Sequence, residues 1–438
     1  MALSIRDYLK RGPASSKEIQ AVTGLSQTAV ARHIRNMGDD VIKIQSGRSP
    51  MYAATCNAFG GNNKLPLSII NKNGNTVLVA YVRPLIDGGF FIEPVPGMPS
   101  LLLGDEGNGL YADLPYFLSD LAPQGFLGRQ IAKTMASLSE DFPENPKRWN
   151  TEHIGRYLLS NGENLPGNIK FGDQASLRFR CKPVAVSEES YPALADKVMN
   201  GDVPGSSAGG EQPKFTAFSA NSVSHVIVKF SPKRENPLTQ RWRDILLTEY
   251  HALETIRSKK YPVAKTRLIE MEGRLFLESQ RFDRFGEYGR MSSISLFAID
   301  AEYSGIGSGW PQTLDALYKR SLIGKEDLTT VEYFWCFGRL INNTDMHLGN
   351  LSFAMKDTMF RLLPLYDMCS MGFAPNSGGE IPDYTFVPLE PKLLNLPRTA
   401  TDSITEMAHD FWERVASDNR ISDELKAFLS LGNPIDLM

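Results

Sequence analysis

Cysteine is scarce in this 438-residue chain. The four present, Cys56, Cys181, Cys336 and Cys369, are far apart and include no C-x-x-C pair. That argues against a disulfide framework and against a zinc site, and for a reducing cytosol. Long apolar runs are also missing. No uninterrupted stretch approaches membrane-spanning length, and Met1-Ala-Leu-Ser-Ile-Arg-Asp-Tyr8 lacks a basic segment leading into an apolar one, so the expectation is a cytoplasmic protein with no membrane partner. Neither an internal repeat nor a low-complexity tract is visible. What is there, 42% hydrophobic and 22% charged residues, is the composition of a folded globular chain. Its length is too great for one ordinary domain and suggests roughly two to four.

Charge is uneven beneath a net value of −3. Residues 1 to 50 carry eight Lys or Arg against four Asp or Glu, which is 8 − 4 = +4 and leaves −7 for the rest. A basic head on an acidic body suggests that the head alone meets a polyanion. The pattern of that head is helix, helix, turn, helix, hairpin. Leu3, Ile5, Tyr8 and Leu9 give a first helix its apolar face, and Arg11-Gly12-Pro13 ends it. Ser15-x-x-Glu18 is a capping box for a second helix. Gly24-Leu25-Ser26 is a tight turn, with Ser26 capping a third helix from Gln27 to Met37. On that helix Val30 and Ile34 face inward, which turns Gln27, Thr28, Arg32 and Arg35 outward, where such side chains reach bases or phosphates. The hairpin that follows, with Arg48 at its basic tip, has the character of a wing. The expectation is a winged helix-turn-helix DNA-binding domain over residues 1–57, and the alternative is a small packing module with a solvated basic face. Because such domains usually read two-fold sites, a homodimer is expected on that geometry alone.

The chemistry is concentrated further on. In Asn343-Thr344-Asp345-Met346-His347-Leu348-Gly349-Asn350, the D-x-x-x-x-N spacing suits a base beside a substrate hydroxyl, Asp345, and an amide oxygen on Mg²⁺, Asn350. Asp367, after the apolar-rich run Phe360 to Tyr366, would be the second metal ligand at a strand end. Asn and Asp are also common turn residues, so a merely polar loop is the competing reading. Gly205-Ser206-Ser207-Ala208-Gly209-Gly210 could bring backbone N–H groups up to phosphate oxygens, or could be a flexible linker. The apolar strand His225-Val226-Ile227-Val228-Lys229 carries one ammonium suited to nucleotide phosphates, and Glu249 on a following helix is placed to pair with it. Leu275 to Gln280, running into Arg281-Phe282-Asp283-Arg284, reads as a strand and a hinge whose backbone, at Gln280 and Phe282, would hold adenine. Phe334, Trp335 and Phe337 are read as core. Leu114 to Arg129 announces no chemistry, and Asn57 to Asn63 reads as a linker.

Taken together, Ser207-Ala-Gly-Gly-Glu-Gln-Pro-Lys214, Val226-Ile-Val-Lys229-Phe, Arg281-Phe-Asp-Arg284, Asn343 to Asn350 and Leu365-Tyr-Asp367-Met-Cys-Ser370 resemble the HipA-type serine/threonine kinases, toxin halves of bacterial toxin-antitoxin pairs. The likeness extends over about residues 60 to 438 and is greatest to a subgroup with a fused amino-terminal DNA-binding domain. The resemblance implies an α+β, bilobal kinase-like fold with a mostly helical C-lobe. It implies ATP and Mg²⁺ as cofactors, Asp345 as base, His347 close to the active site, Asn350 and Asp367 on the metal, Lys229 on the nucleotide, and Ser207 as a site of autophosphorylation. No G-x-G-x-x-G loop and no H-R-D is present, so an ordinary eukaryotic-type kinase is not implied. Glu211 departs from the neutral or basic residue often found there. The expected domains are 1–57, a HipA-type subdomain over 62–150, a kinase N-lobe over 151–283 and a helical C-lobe over 284–438. The favoured function is phosphorylation of a serine in a protein target such as an aminoacyl-tRNA synthetase, with an antitoxin and DNA as further partners. The alternatives are a DNA-binding regulator with a silent kinase-like body and a small-molecule phosphotransferase.

Overall fold

The computed structural model describes residues 4–44, 50–173, 182–199, 212–233, 236–376, 379–386, 398–432 and 435. The head comprises α1 (Ile5–Leu9), β1 (Ala14–Ser15), α2 (Ser16–Thr23), α3 (Gln27–Met37), β2 (Val41–Ile44) and β3 (Met51–Ala54). Its capping box is reciprocal: the Glu18 amide donates to Ser15 Oγ at 3.3 Å and the Ser15 amide to Glu18 Oε2 at 2.7 Å. Gly24 then takes a left-handed conformation, φ 71°, where a side chain would cost energy, and the chain reverses into α3. Ile5, Leu9, Ile19, Val30 and Ile34 form the head's own core. Its strands pair antiparallel in the order β1-β3-β2.

A second antiparallel sheet follows, β4 (Leu65–Ile70), β5 (Thr76–Pro84), β6 (Phe90–Pro94), β7 (Leu110–Tyr111) and β8 (Ile169–Phe171), in the order β7-β6-β5-β4-β8. With it go α4 (Tyr116–Ser119), α5 (Gly125–Leu138) and α6 (Thr151–Asn161). The boundary expected near residue 150 does not separate units here, because β8 closes this sheet by pairing Leu67 with Phe171. Nor is Asn57 to Asn63 a free linker. Phe59 is buried, stacked 5.8 Å from Phe90, and Thr55 bridges Leu85 as the chain leaves the head. Arg83, 1% exposed, reaches across from β5 to donate to Asp39 Oδ1 at 3.1 Å and to Asp39 O at 2.9 Å.

The next lobe is a five-stranded sheet in the order β12-β13-β11-β10-β9. Its strands are β9 (Ala185–Val186), β10 (Lys214–Ser219), β11 (Ser224–Phe230), β12 (Thr266–Met271) and β13 (Arg274–Gln280), with α7 (Tyr191–Met199) and α8 (Pro237–Ser258). Strand alternation sorts the two faces. Val226, Val228, Phe230 and Phe276 pack with Tyr191 of α7, while Leu275 and Leu277 join Trp242, Ile245 and Leu246 of α8 in the main core.

The helical lobe contains the hairpin β14 (Arg284–Phe285) and β15 (Gly289–Arg290), and the sheet β16 (Ile294–Ser295), β17 (Ser352–Lys356) and β18 (Met359–Leu362). Its helices are α9 (Leu296–Tyr303), α10 (Trp310–Lys319), α11 (Lys325–Leu340), α12 (Arg398–Ser417) and α13 (Asp423–Leu429). One continuous core runs from Phe59 through the middle sheet and α8 into Phe337, Phe411 and Trp412 of this lobe. The fold is α+β and kinase-like, two lobes hinged at Gln280 to Arg284. Among the described residues no helix is long and apolar enough to cross a membrane.

Candidate active site

Register places the cationic face of the upper lobe. Lys214 on β10 stands opposite Lys229 on β11, and Thr216 opposite Ile227, so that all four look into the space between the lobes. Lys229 is buried and donates to Glu249 Oε2 on α8 at 2.5 Å and to Asp367 Oδ1. The pairing anticipated from the twenty-residue spacing is therefore present, with a second carboxylate added. Burial pulls the Lys229 ammonium down, but Asp367 and Glu249 more than offset this and raise it above its ordinary value. Burial also acts against the charge on Asp367, yet Lys229, supported by Lys214, holds it down to about 2. Glu249 is pushed up, burial outweighing the pull of Lys229.

The catalytic-loop candidate begins where α11 ends. Asn342 adopts φ 58°, and its side chain donates to Thr385 O at 3.1 Å. The Asp345 amide bonds Asn343 Oδ1 at 3.0 Å, an Asx turn that fixes the base on its loop. Asn350 Nδ2 reaches back to Asp345 O at 2.6 Å, and the indole of Trp310 donates to His347 O at 2.8 Å. His347 Nδ1 accepts from the Gly349 amide at 3.0 Å, so the neutral ring carries its proton on Nε2, which lies 3.8 Å from Asp345 Oδ1. Loss of solvent raises the Asp345 carboxyl above the usual range; His347 pulls it down and the charge of Asp367 pushes it up again. A raised carboxylate is a stronger base.

Asp367 does not sit at a strand end, as its sequence suggests. β18 stops at Leu362, and Asp367 follows an isolated bridge between Val263 and Leu365. Its backbone is left-handed, φ 57°, a conformation that costs a non-glycine residue about 1–3 kcal/mol. Tyr366 ties this segment to the catalytic loop, its hydroxyl lying 2.8 Å from Ser352 Oγ and 3.2 Å from Gly349 O.

The hinge motif divides its labour in a way the sequence did not disclose. Arg281, Asp283 and Arg284 are buried in a structural clamp. Asp283 accepts from Arg281 Nε at 3.0 Å, from Arg284 and from the Gly167 amide at 2.8 Å, while Arg281 and Arg284 donate to Leu165 O. Gln280 and Phe282 line the cleft, with the Phe282 ring 5.6 Å from that of Tyr366. The cleft itself has a volume of about 1320 Å³ and is lined by Lys229, Glu249, His347 and Asp367 from the expected chemistry.

Three contributions were missed. Lys214 ends the Ser/Gly motif and could have been found from its alternation with Thr216. The stretch from Leu114 to Arg129, read as chemically silent, supplies a wall through Leu127, which Ile131 continues on the same helix. Trp335, read as core, lines the cleft, whereas Phe334 and Phe337 are buried as expected. Gln27, Thr28, Arg32 and Arg35 form an exposed face of α3, remote in sequence from the cleft. Arg48, Ser207, Gly209 and Gly210 lie outside the described residues.

The donor set suits a hard divalent ion. Asp367 is held ionised, and Asn350, having donated its amide nitrogen to Asp345 O, keeps its side-chain oxygen as an acceptor. One carboxylate and one amide oxygen match an ion that retains waters and phosphate oxygens. Among the described residues no group of three or more His, Cys, Asp and Glu could cage a metal alone.

Comparison with known proteins gives three findings. Residues 206–424 match the family described as HipA-like C-terminal domain, and residues 61–180 match that described as YjjJ-like toxin, middle domain. The chain is 32% identical over 435 residues to Toxin YjjJ of Escherichia coli strain K12, covering 96% of this chain and 94% of that protein. Among solved structures it is similar to the Shewanella oneidensis MR-1 HipA in a complex of HipA, HipB and operator DNA, with a TM-score of 0.55 at 16% identity over 84% of this chain and 94% of that one.

Proposed function

The chain belongs to the HipA-like toxin family, and from that premise we propose that it is an ATP- and Mg²⁺-dependent protein kinase that phosphorylates serine. The observation that carries this reading is the meeting of Lys229, Glu249 and Asp367 at one point between the lobes, with Asp345 and Asn350 on the adjoining loop. Lys229 and Lys214 supply positive charge for the phosphates of the nucleotide, and Phe282 supplies an apolar surface at the hinge. Asn350 and Asp367 would hold magnesium, whose charge neutralises the phosphate oxygens. Asp345 takes the proton of the acceptor hydroxyl as that oxygen bonds the γ-phosphorus. His347 Nε2 lies 3.8 Å from the carboxylate, beyond hydrogen-bond distance, and acts on it electrostatically.

Ser207 is the autophosphorylation candidate. About two negative charges added to a loop meant to cradle phosphates would oppose nucleotide binding, a route to self-inhibition. The head is proposed to bind DNA through Gln27, Thr28, Arg32, Arg35 and Arg48; DNA and an antitoxin are the proposed partners, after the solved structure that holds HipB and operator DNA. Intact mass spectrometry after incubation with ATP and Mg²⁺ tests the reading. A gain of phosphate on the parent but not on a folded Asp345→Ala variant is expected. Equal gain on both would remove Asp345 from its role, and transfer to neither the chain nor any protein would favour a silent, regulatory body.

A further inference from the structure

The cleft is larger than a nucleotide needs. At about 1320 Å³ it exceeds the usual range for a small-ligand pocket, roughly 300–1,000 Å³, and it continues past Lys229 and Asp367 along the lower lobe. That continuation is bounded by Gly307-Ser308-Gly309, the second half of the loop Ser304–Gly309, by Phe297 of α9 and by Trp335 of α11. The loop is built firmly. Asp300, buried, accepts from the Ile306 amide at 2.9 Å, from the Gly307 amide at 2.8 Å and from Ser304 Oγ at 2.5 Å. Gly305 and Gly307 take φ 61° and 63°, and a Cβ on either would meet nothing within 4 Å, so the space above this backbone is open. Gly309 packs closely on Trp335, whose ring is 5.7 Å from that of Trp310, the residue that holds the His347 carbonyl. This wall therefore adjoins the approach to Asp345.

Its chemistry differs from that of the opposite wall. Phe297, on the cleft lining, is 60% exposed, a large apolar side chain left in solvent on the helix that precedes this loop. Asp120 and Asp300, both hydrogen-bonded within the fold, accompany Phe297 on the lining, while the cations Lys214 and Lys229 belong to the upper-lobe sheet. Among the described lining residues, this side offers a polyanion no Lys or Arg to bind. We infer that the Ser304–Gly309 loop, Phe297 and Trp335 form the acceptor subsite, which takes an extended polypeptide carrying an apolar side chain next to the serine. The inference rests on the proposed kinase reading. In the reaction the serine Oγ bonds the γ-phosphorus, the β–γ bridging oxygen leaves with the nucleoside diphosphate, and the hydroxyl proton passes to Asp345.

The test uses the full chain with ATP, Mg²⁺ and an array of serine-centred peptides that differ in the residues flanking the serine. Phosphate on the chain itself is read in the same reactions as an independent report of transfer. Phe297 is exposed, so Phe297→Ala does not hollow the core. The parent is expected to prefer Leu, Ile or Phe beside the serine. Phe297→Ala should raise KM for those peptides roughly tenfold, with kcat and the KM for ATP unchanged, and Phe297→Leu should restore most of the preference. Self-phosphorylation accompanied by peptide transfer without flank preference, or by a preference that Phe297→Ala leaves intact, overturns the subsite. Transfer to free serine or to a sugar but to no peptide overturns the polypeptide. No transfer to chain, peptide or small hydroxyl overturns the kinase reading, and this inference with it.

Discussion

Lys229 has two carboxylates and one ammonium to share between them, and the partition decides what Asp367 can do. Because the Asp367 carboxyl is held at about 2 against an ordinary value of 3.8, its folded-state value is depressed. Its ionised form therefore stabilises the fold above the unfolded value, and that contribution is lost as pH falls from about 4 to about 2. Acid unfolding followed by tryptophan fluorescence should show a steeper dependence in this window for the parent than for Asp367→Asn; identical curves would mean that the ion pair contributes nothing. Asp345 is moved the other way, so proton acceptance should fail at a pH above that of an ordinary aspartate, visible as the acidic limb of a kcat profile. The sequence drew attention to these residues through the types and spacing that phosphoryl chemistry uses. It could not disclose the left-handed φ of Asp367, which follows the Leu365 bridge to Val263, a contact more than a hundred residues apart in the chain.

Among the elements, α11 sets how closely the two loops approach. A Cβ on Gly338 would lie 2.3 Å from Met346 Sδ and 3.3 Å from Met368 Sδ, the neighbours of Asp345 and Asp367 respectively. Gly338→Ala gains about 1 kcal/mol in helix propensity, while overpacking costs about 1–3 kcal/mol, so stability should fall by about 0–2 kcal/mol and the protein should stay folded. Phosphate transfer should nevertheless fall by roughly tenfold or more, because displacing a catalytic group by an ångström is that costly. Thermal unfolding measured beside transfer separates the two, and full activity would release Gly338 from this role. Helices and strands were legible wherever periodicity was clear, as in α3 and β11. The wall contributed by α5 was not, because residues such as Leu127 and Ile131 look the same whether they face a core or a cleft. Only packing against the upper lobe distinguishes them.

At the scale of the whole molecule, the head joins the body through Phe59, Thr55 and Arg83, in place of the loose connection that Asn57 to Asn63 suggests. Arg83→Ala should lower stability by about 1–3 kcal/mol, since a buried guanidinium with three carboxylate and carbonyl contacts is removed. The body core, which excludes Arg83, should remain folded. The attachment also has a hydrodynamic consequence. A fluorophore on the outer face of α3 should tumble with the correlation time of a 438-residue particle, and Arg83→Ala should add a faster component to its anisotropy decay. Any polyanion gripped by the head would thus be towed by the entire body, and the drag of the catalytic lobes would set how fast the protein slides or rotates along it.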